Sequence, residues 1–253
     1  MTRPGDAVIE VANLTYKYGS ATALRDMTFS VPQGAIYALL GPNGSGKTTL
    51  LQILMGLRRV PTGCASILGR DVGALTAVDR ESIGYIAEGQ SLPLWMKLRE
   101  LEAYLAPLYP KWDASLASAL RTRFGLDPEK KIKALSRGDY MKVALLCALA
   151  PRPRLLLMDE PFTGMDVLVK DELVQGLLET AGSEEWTVVI CSHDLAELEM
   201  LADWVGFISA GEMLVSEPMD DLRARFKEPM TLRDAFLAMA KSKSVPRKME
   251  GVA

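Results

Sequence analysis

The chain has 253 residues, 49% of them hydrophobic and 24% charged, with a net charge of -3 from 29 basic and 32 acidic side chains. That is the make-up of a globular chain with a sizeable core, and its interspersed charges leave no electrostatic footprint for nucleic acid or for an acidic membrane surface. The longest apolar stretch, VALLCALA at 143–150, is well short of the roughly 20 residues that span a bilayer, so no crossing segment is expected. The opening MTRPGDAVIE has no apolar signal core, and Cys64, Cys147 and Cys191 are odd in number without CxxC spacing. A reducing cytoplasm is therefore expected, with the cysteines as packing residues rather than ligands.

In chain order, VIEVANL (8–14) reads as a strand. RDMTFSV (25–31) puts Met27, Phe29 and Val31 on one face and Asp26, Thr28 and Ser30 on the other, the period of a half-buried strand. AIYALL (35–40) is apolar throughout, as expected of a strand covered on both faces, and runs into glycine-rich GPNGSGKTT (41–49) and the helical KTTLLQILMGL. SILG (66–69) reads as another strand. From about residue 90 the spacing turns helical, with one stripe at Leu98, Leu101, Leu105 and Leu108 and another at Leu116, Leu120 and Phe124. Then RLLLMDE (154–160) and TVVICS (187–192) read as buried strands, each followed by a helical segment, LVKDELVQGLLETA and DLAELEMLA. This rhythm predicts a mostly parallel sheet with helices on both faces and a helical insertion at 90–150. The tail KSKSVPRKMEGVA is basic and reads as a frayed end.

Gly41, Gly46, Lys47 and Thr48 satisfy GxxxxGK[ST] between a buried strand and a helix, the context in which backbone amides cradle phosphate. Glycines at 41, 44 and 46 let the backbone wrap closely, Lys47 reaches the β- and γ-phosphates, and the Thr48 hydroxyl completes a Mg²⁺ shell. The apolar strand ending in Asp159 and Glu160 fits the acidic partner of such a loop, with Asp159 on the metal and Glu160 as general base. His193, the chain's single histidine, follows the strand TVVICS, at the functional end of a parallel sheet.

On these motifs and their order, from about residue 7 to about 240, the chain resembles the ATP-binding subunits of ABC transporters. The resemblance implies an α/β fold: a P-loop NTPase (RecA-like) core with a mostly parallel sheet, an N-terminal antiparallel β region and an inserted helical subdomain. Residues 1–89 and 151–226 would be the core, 90–150 the helical subdomain, and 227–253 a C-terminal helix and tail. Tyr18 in LTYKYG matches the aromatic residue that stacks on adenine. Gly41, Pro42, Asn43, Gly44, Ser45, Gly46, Lys47, Thr48 and Thr49 match Walker A, LLLMDE matches Walker B, and TGMD (Thr163 to Asp166) looks like the D-loop. His193 would sense the γ-phosphate.

LSRGD (135–139) stands where the family has LSGGQ, so Ser136 and Gly138 would grip ATP bound by a second subunit. Arg137-Gly138-Asp139 also spells an adhesion tripeptide, but that reading needs a secreted chain and an exposed loop. Arg137 departs from the family's glycine, either adding a cation near the partner's γ-phosphate or weakening closure, and Asp139 is expected to face solvent. Glu88 stands at the Q-loop glutamine's place as a third acid near the metal, with Gln90 as the alternative.

LPLWMKLRELEAYLAPLYPKWD (92–113) and TLRDAFLAMA (231–240) resemble segments of bacterial drug- and peptide-exporter ATPases. Leu92, Leu94, Trp95 and Met96 either form a groove for a coupling helix or pack the insertion. The implied cofactors are ATP and Mg²⁺. The implied partners are a separate transmembrane permease and a second ATPase subunit, in a homodimer or heterodimer peripheral on the cytoplasmic face of the cell membrane. The alternative is a soluble single-cassette ATPase acting as an assembly or regulatory switch.

Overall fold

A computed structural model describes residues 7–182, 186–194, 198–225 and 231–244. Its first strands are β1 (Ala7–Tyr18), β2 (Ala21–Pro32), β3 (Ile36–Leu40), β4 (Thr62–Ile67), β5 (Arg70–Asp71) and β6 (Ile83–Ile86). Four of them make an antiparallel sheet in the order β2-β1-β4-β5. On β2 the expected alternation holds: Met27, Phe29 and Val31 are buried while Asp26 and Thr28 are exposed. The strand expected at SILG starts earlier and stops at Ile67, because Leu68 takes a left-handed φ of 50° that turns the chain through Gly69.

The second sheet adds β7 (Leu155–Asp159), β8 (Thr187–Ser192), β9 (Trp204–Ser209) and β10 (Glu212–Pro218) to β3 and β6, in the order β10-β9-β3-β8-β7-β6. All neighbours are parallel except β9 and β10, a hairpin absent from the sequence expectations. Strands β3, β7 and β8 are buried along their whole length because they feed two cores at once. Ala38, Leu40, Leu156, Met158, Val188 and Ile190 point into one core, and Tyr37, Leu39, Leu155, Leu157, Val189 and Cys191 into the other. Each fully buried leucine there contributes about 1.5–3 kcal/mol.

The helices divide between the cores. The core on the antiparallel-sheet side takes α1 (Lys47–Leu54), and short α2 (Ala77–Arg80) precedes β6. The opposite core takes α3 (Leu98–Leu105), α4 (Ala114–Arg123), α5 (Arg137–Leu149) and α6 (Val167–Gly182). It also takes α7 (Met219–Arg225) and α8 (Leu232–Ser244), whose Leu232 and Ala235 are buried and whose Phe236 ring meets Phe207 edge-on at 5.5 Å. Between β6 and β7 the chain thus inserts α3, α4 and α5, the helical insertion that the spacing predicts. Leu98, Leu101, Leu120 and Phe124 are buried, while Leu108 is exposed. Asp113 of the YPKWD stretch has a local task, since its carboxylate caps α4 through the Leu116 amide at 2.8 Å and pairs with Arg152 at 2.7 Å.

Of the helix expected at DLAELEMLA, residues 195–197 lie outside the described residues, as does the tail from 245. Among the described residues no helix is long and apolar enough to cross a membrane. The cysteines divide: Cys191 is buried as a packing residue, whereas Cys64 is exposed, contrary to expectation.

Candidate nucleotide site

Strand β3 delivers the chain into the loop 41–46, and α1 leads away from it. Gly46 caps α1 at a φ of 110°, and a Cβ on it would come within 2.7 Å of the Ala23 carbonyl oxygen, so only glycine fits. No side chain caps this helix start, and its first amides remain for an anion. Over the loop opens a cleft of about 410 Å³ lined by Tyr18, residues 43–49, Glu88 and Glu160. The Lys47 ammonium is folded under it. It donates to the carbonyl oxygens of Gly41 at 2.6 Å and Pro42 at 3.3 Å, and lies 3.3 Å from Glu160 Oε1.

The acids stand where β7 ends. Asp159 is its last residue and Glu160 the first beyond it, at a φ of 51° held by its amide donating to the Cys191 carbonyl at 2.9 Å. That backbone costs a non-glycine residue about 1–2 kcal/mol and turns the carboxylate toward Lys47. Glu160 Oε2 meets His193 Nδ1 at 2.7 Å and accepts from the Thr163 hydroxyl at 3.2 Å. His193 therefore bonds the candidate base directly, from the loop after β8. Asp159 differs: it is 1% exposed, and neither of its oxygens has a hydrogen-bond partner. Burial pushes its carboxyl above the ordinary range. The neighbouring Thr48 hydroxyl counteracts this without reaching hydrogen-bond geometry, and the charges of Glu88 and Glu160 add to the rise.

The residues present fit a magnesium nucleotide. A buried, unpartnered carboxylate beside a threonine hydroxyl at a phosphate-type loop is what a hard cation held by one or two side chains and phosphate oxygens needs. Among the described residues no group of three or more His, Cys, Asp or Glu forms an all-protein metal cage. Glu88 lines the cleft, whereas Gln90 is folded onto its own loop, its side-chain oxygen accepting from the Ala87 amide at 3.3 Å.

The signature residues lie elsewhere. Ser136 caps α5 by accepting from the Asp139 amide at 3.1 Å, Gly138 is buried beside Val169, and neither lines the cleft over the loop. Asp166 caps α6 through the Val169 amide at 3.0 Å and is likewise outside that cleft. Asp139 is half-buried and pairs with Lys130 at 3.3 Å rather than facing solvent.

The sequence matches the model of the ABC transporter family over residues 24–163. The chain belongs to the ABC transporter family. It is 34% identical over 232 residues to the sulfate/thiosulfate import ATP-binding protein CysA of Yersinia pestis, covering 88% of this chain but 63% of that protein. It is 32% identical over 216 residues to the lantibiotic transport ATP-binding protein SrtF of Streptococcus pyogenes, covering 84% of this chain and 92% of that one. A solved ATP-binding subunit of an ABC transporter superposes with a TM-score of 0.82 at 27% identity, covering 92% of this chain and 99% of that chain. These relatives of the ABC family span import and lantibiotic transport, so the likeness is not specific to drug and peptide exporters.

Two parts of this ABC site had no sequence signal. Arg58 stacks its guanidinium 4.8 Å from the Tyr18 ring centroid, held by Gln52 Oε1 at 2.6 Å and the Tyr16 hydroxyl at 3.3 Å, and Tyr18 reaches Thr49 at 3.3 Å. Tyr140 on α5 donates to the Gln90 carbonyl at 2.8 Å and accepts from the Leu92 amide, tying the loop after β6 to α5. Leu94 and Trp95 just beyond are exposed, while Leu92 is buried and Met96 packs on the core, as the packing alternative expects of those two.

Proposed function

We propose that the chain binds and hydrolyses MgATP as one of two such subunits, energising a separate membrane-spanning partner at whose cytoplasmic face it is peripheral. The observation that carries this is the buried, unpartnered Asp159 beside Glu160, both at the foot of a phosphate-type loop. Tyr18, backed by Arg58, would take the adenine, and the amides of residues 43–49 the phosphates. Thr48 and Asp159 would hold magnesium, with Glu88 facing it; the ion supplies charge neutralisation between the phosphates. Lys47 would exchange the Gly41 and Pro42 carbonyls for phosphate oxygens. Glu160 would orient and deprotonate the attacking water, with His193, bonded to its other oxygen, positioned toward the γ-phosphate.

The need for a second subunit is supported by Ser136, Gly138 and Asp166, none of which lines the chain's own nucleotide cleft; Ser136 and Gly138 stand at the start of α5, whose amides suit phosphate, and Asp166 at the start of α6. For the transported class we favour export of drug, peptide or lipid-like substrates, supported by the resemblance of residues 92–113 and 231–240 to exporter ATPases and by the SrtF relative; the CysA relatives favour import. Co-purification of the chain with a polytopic membrane protein tests the partnership. A stable complex containing only soluble proteins would overturn it.

A further inference from the structure

The two departures from the family's motifs, Arg137 and Glu88, are 49 positions apart in sequence yet line one cleft of about 340 Å³, together with Tyr140, Asp159, Glu160 and Thr163. Three carboxylates and one guanidinium therefore border the same space. Arg137 also lies on its own chain's D-loop. A Cβ added to Gly164 would be 2.6 Å from Arg137 Nη1, and Gly164 turns at a φ of 71°. The next residue back, Thr163, donates its hydroxyl to Glu160. A continuous line of contact thus runs from the first residue of the signature helix, through Gly164 and Thr163, to the candidate base.

We infer that Arg137 is a positioning residue acting within its own subunit, bracing the D-loop at Gly164 and balancing the acids of its own site, rather than a cation delivered to the partner's phosphate. The inference rests on the nucleotide reading above. It assigns the additional acid at Glu88 and the additional base at Arg137 to one compensated pair of changes, because a third carboxylate beside a metal site would otherwise raise the local repulsion.

A role in the single subunit is measurable without a partner. The test uses the whole chain, diluted until light scattering reports a single copy, with manganese and ADP as the probe. Free manganese is followed by electron paramagnetic resonance, and exchange of the Thr163 and Met165 amides, which hydrogen-bond to Glu160 and Phe162 carbonyls, by mass spectrometry or NMR. Arg137→Ala keeps a good helix former at the exposed first position of α5. It should bind manganese about threefold tighter, as loss of one partly exposed countercharge implies, and exchange those two amides about threefold faster. Arg137→Lys should return the metal affinity toward wild type, which a purely structural role would not do. An Arg137→Ala chain with wild-type manganese affinity, or with unchanged exchange at Thr163 and Met165, would overturn the inference. A wild-type chain that takes up no manganese ADP would instead count against the nucleotide reading, and the exchange measurement would then decide on Arg137 by itself.

Discussion

Replacing Asp159 by Asn should stabilise the metal-free protein while weakening its hold on magnesium. The carboxylate is 1% exposed and has no hydrogen-bond partner, and burial raises its pKa above the ordinary value of 3.8. An unpartnered buried polar group costs about 1–3 kcal/mol, and more when charged; Asn keeps the shape, with one unpaired oxygen and an unpaired NH2 group, but removes the charge, the larger penalty. The net gain should be about 1–2 kcal/mol at about pH 8 with chelator. The sign reverses the usual carboxylate case. A raised folded pKa means the folded state holds the proton more tightly than the unfolded chain, so the penalty is complete above the folded pKa and vanishes below the unfolded one. Wild type should therefore gain on the variant as pH falls through the folded pKa. Urea unfolding with chelator at about pH 8 and about pH 5 measures both, and added magnesium nucleotide should stabilise wild type more than the variant. A variant less stable than wild type at the higher pH is the opposite outcome, and would mean that the carboxylate is favourably partnered without metal.

Tyr18→Ala should weaken ATP binding about tenfold, and Arg58→Ala about threefold through the lost backing of the ring, read by fluorescent nucleotide titration. Tyr140→Phe should remove the hydrogen bonds at Gln90 and Leu92, lower stability by about 1 kcal/mol and speed amide exchange at Leu92. The Leu116 amide first, and then Arg152, hold the Asp113 carboxyl below its ordinary range. Its contribution to α4 is thus present above the unfolded pKa and lost as pH falls through the folded one; Asp113→Asn, followed by circular dichroism, should flatten that acid dependence.

The parallel core was readable because AIYALL, LLLMD and TVVICS are continuous apolar runs bounded by turn residues. What periodicity does not carry is that each run supplies two cores in alternation, with Leu156 and Met158 on one side and Leu155 and Leu157 on the other. The β9–β10 hairpin was hidden because Gly206 interrupts an apolar strand and β10 is half-exposed along its length. Gly206 is there for Tyr37, whose hydroxyl oxygen a Cβ would meet at 2.2 Å, a contact between residues 169 positions apart. The phosphate loop and the acids were legible because their chemistry is local in sequence. Arg58 and Tyr140 were not, since each acts on a group about 40 to 50 positions away and carries no motif of its own. Arg137 was visible as a departure, but its direction, toward Gly164 of its own chain, is a fact of packing.

A base at Glu160 makes hydrolysis depend on that carboxylate as well as on Mg²⁺. The most direct measurement is phosphate release from ATP by the purified chain and its Glu160→Gln variant, with and without Mg²⁺, alongside ATP-dependent dimerisation by light scattering. Release by wild type is expected only with Mg²⁺, with a fall of about a hundredfold or more in the variant and a dimer that persists with ATP in the variant. Equal phosphate release from the two proteins, or release independent of Mg²⁺, would contradict it.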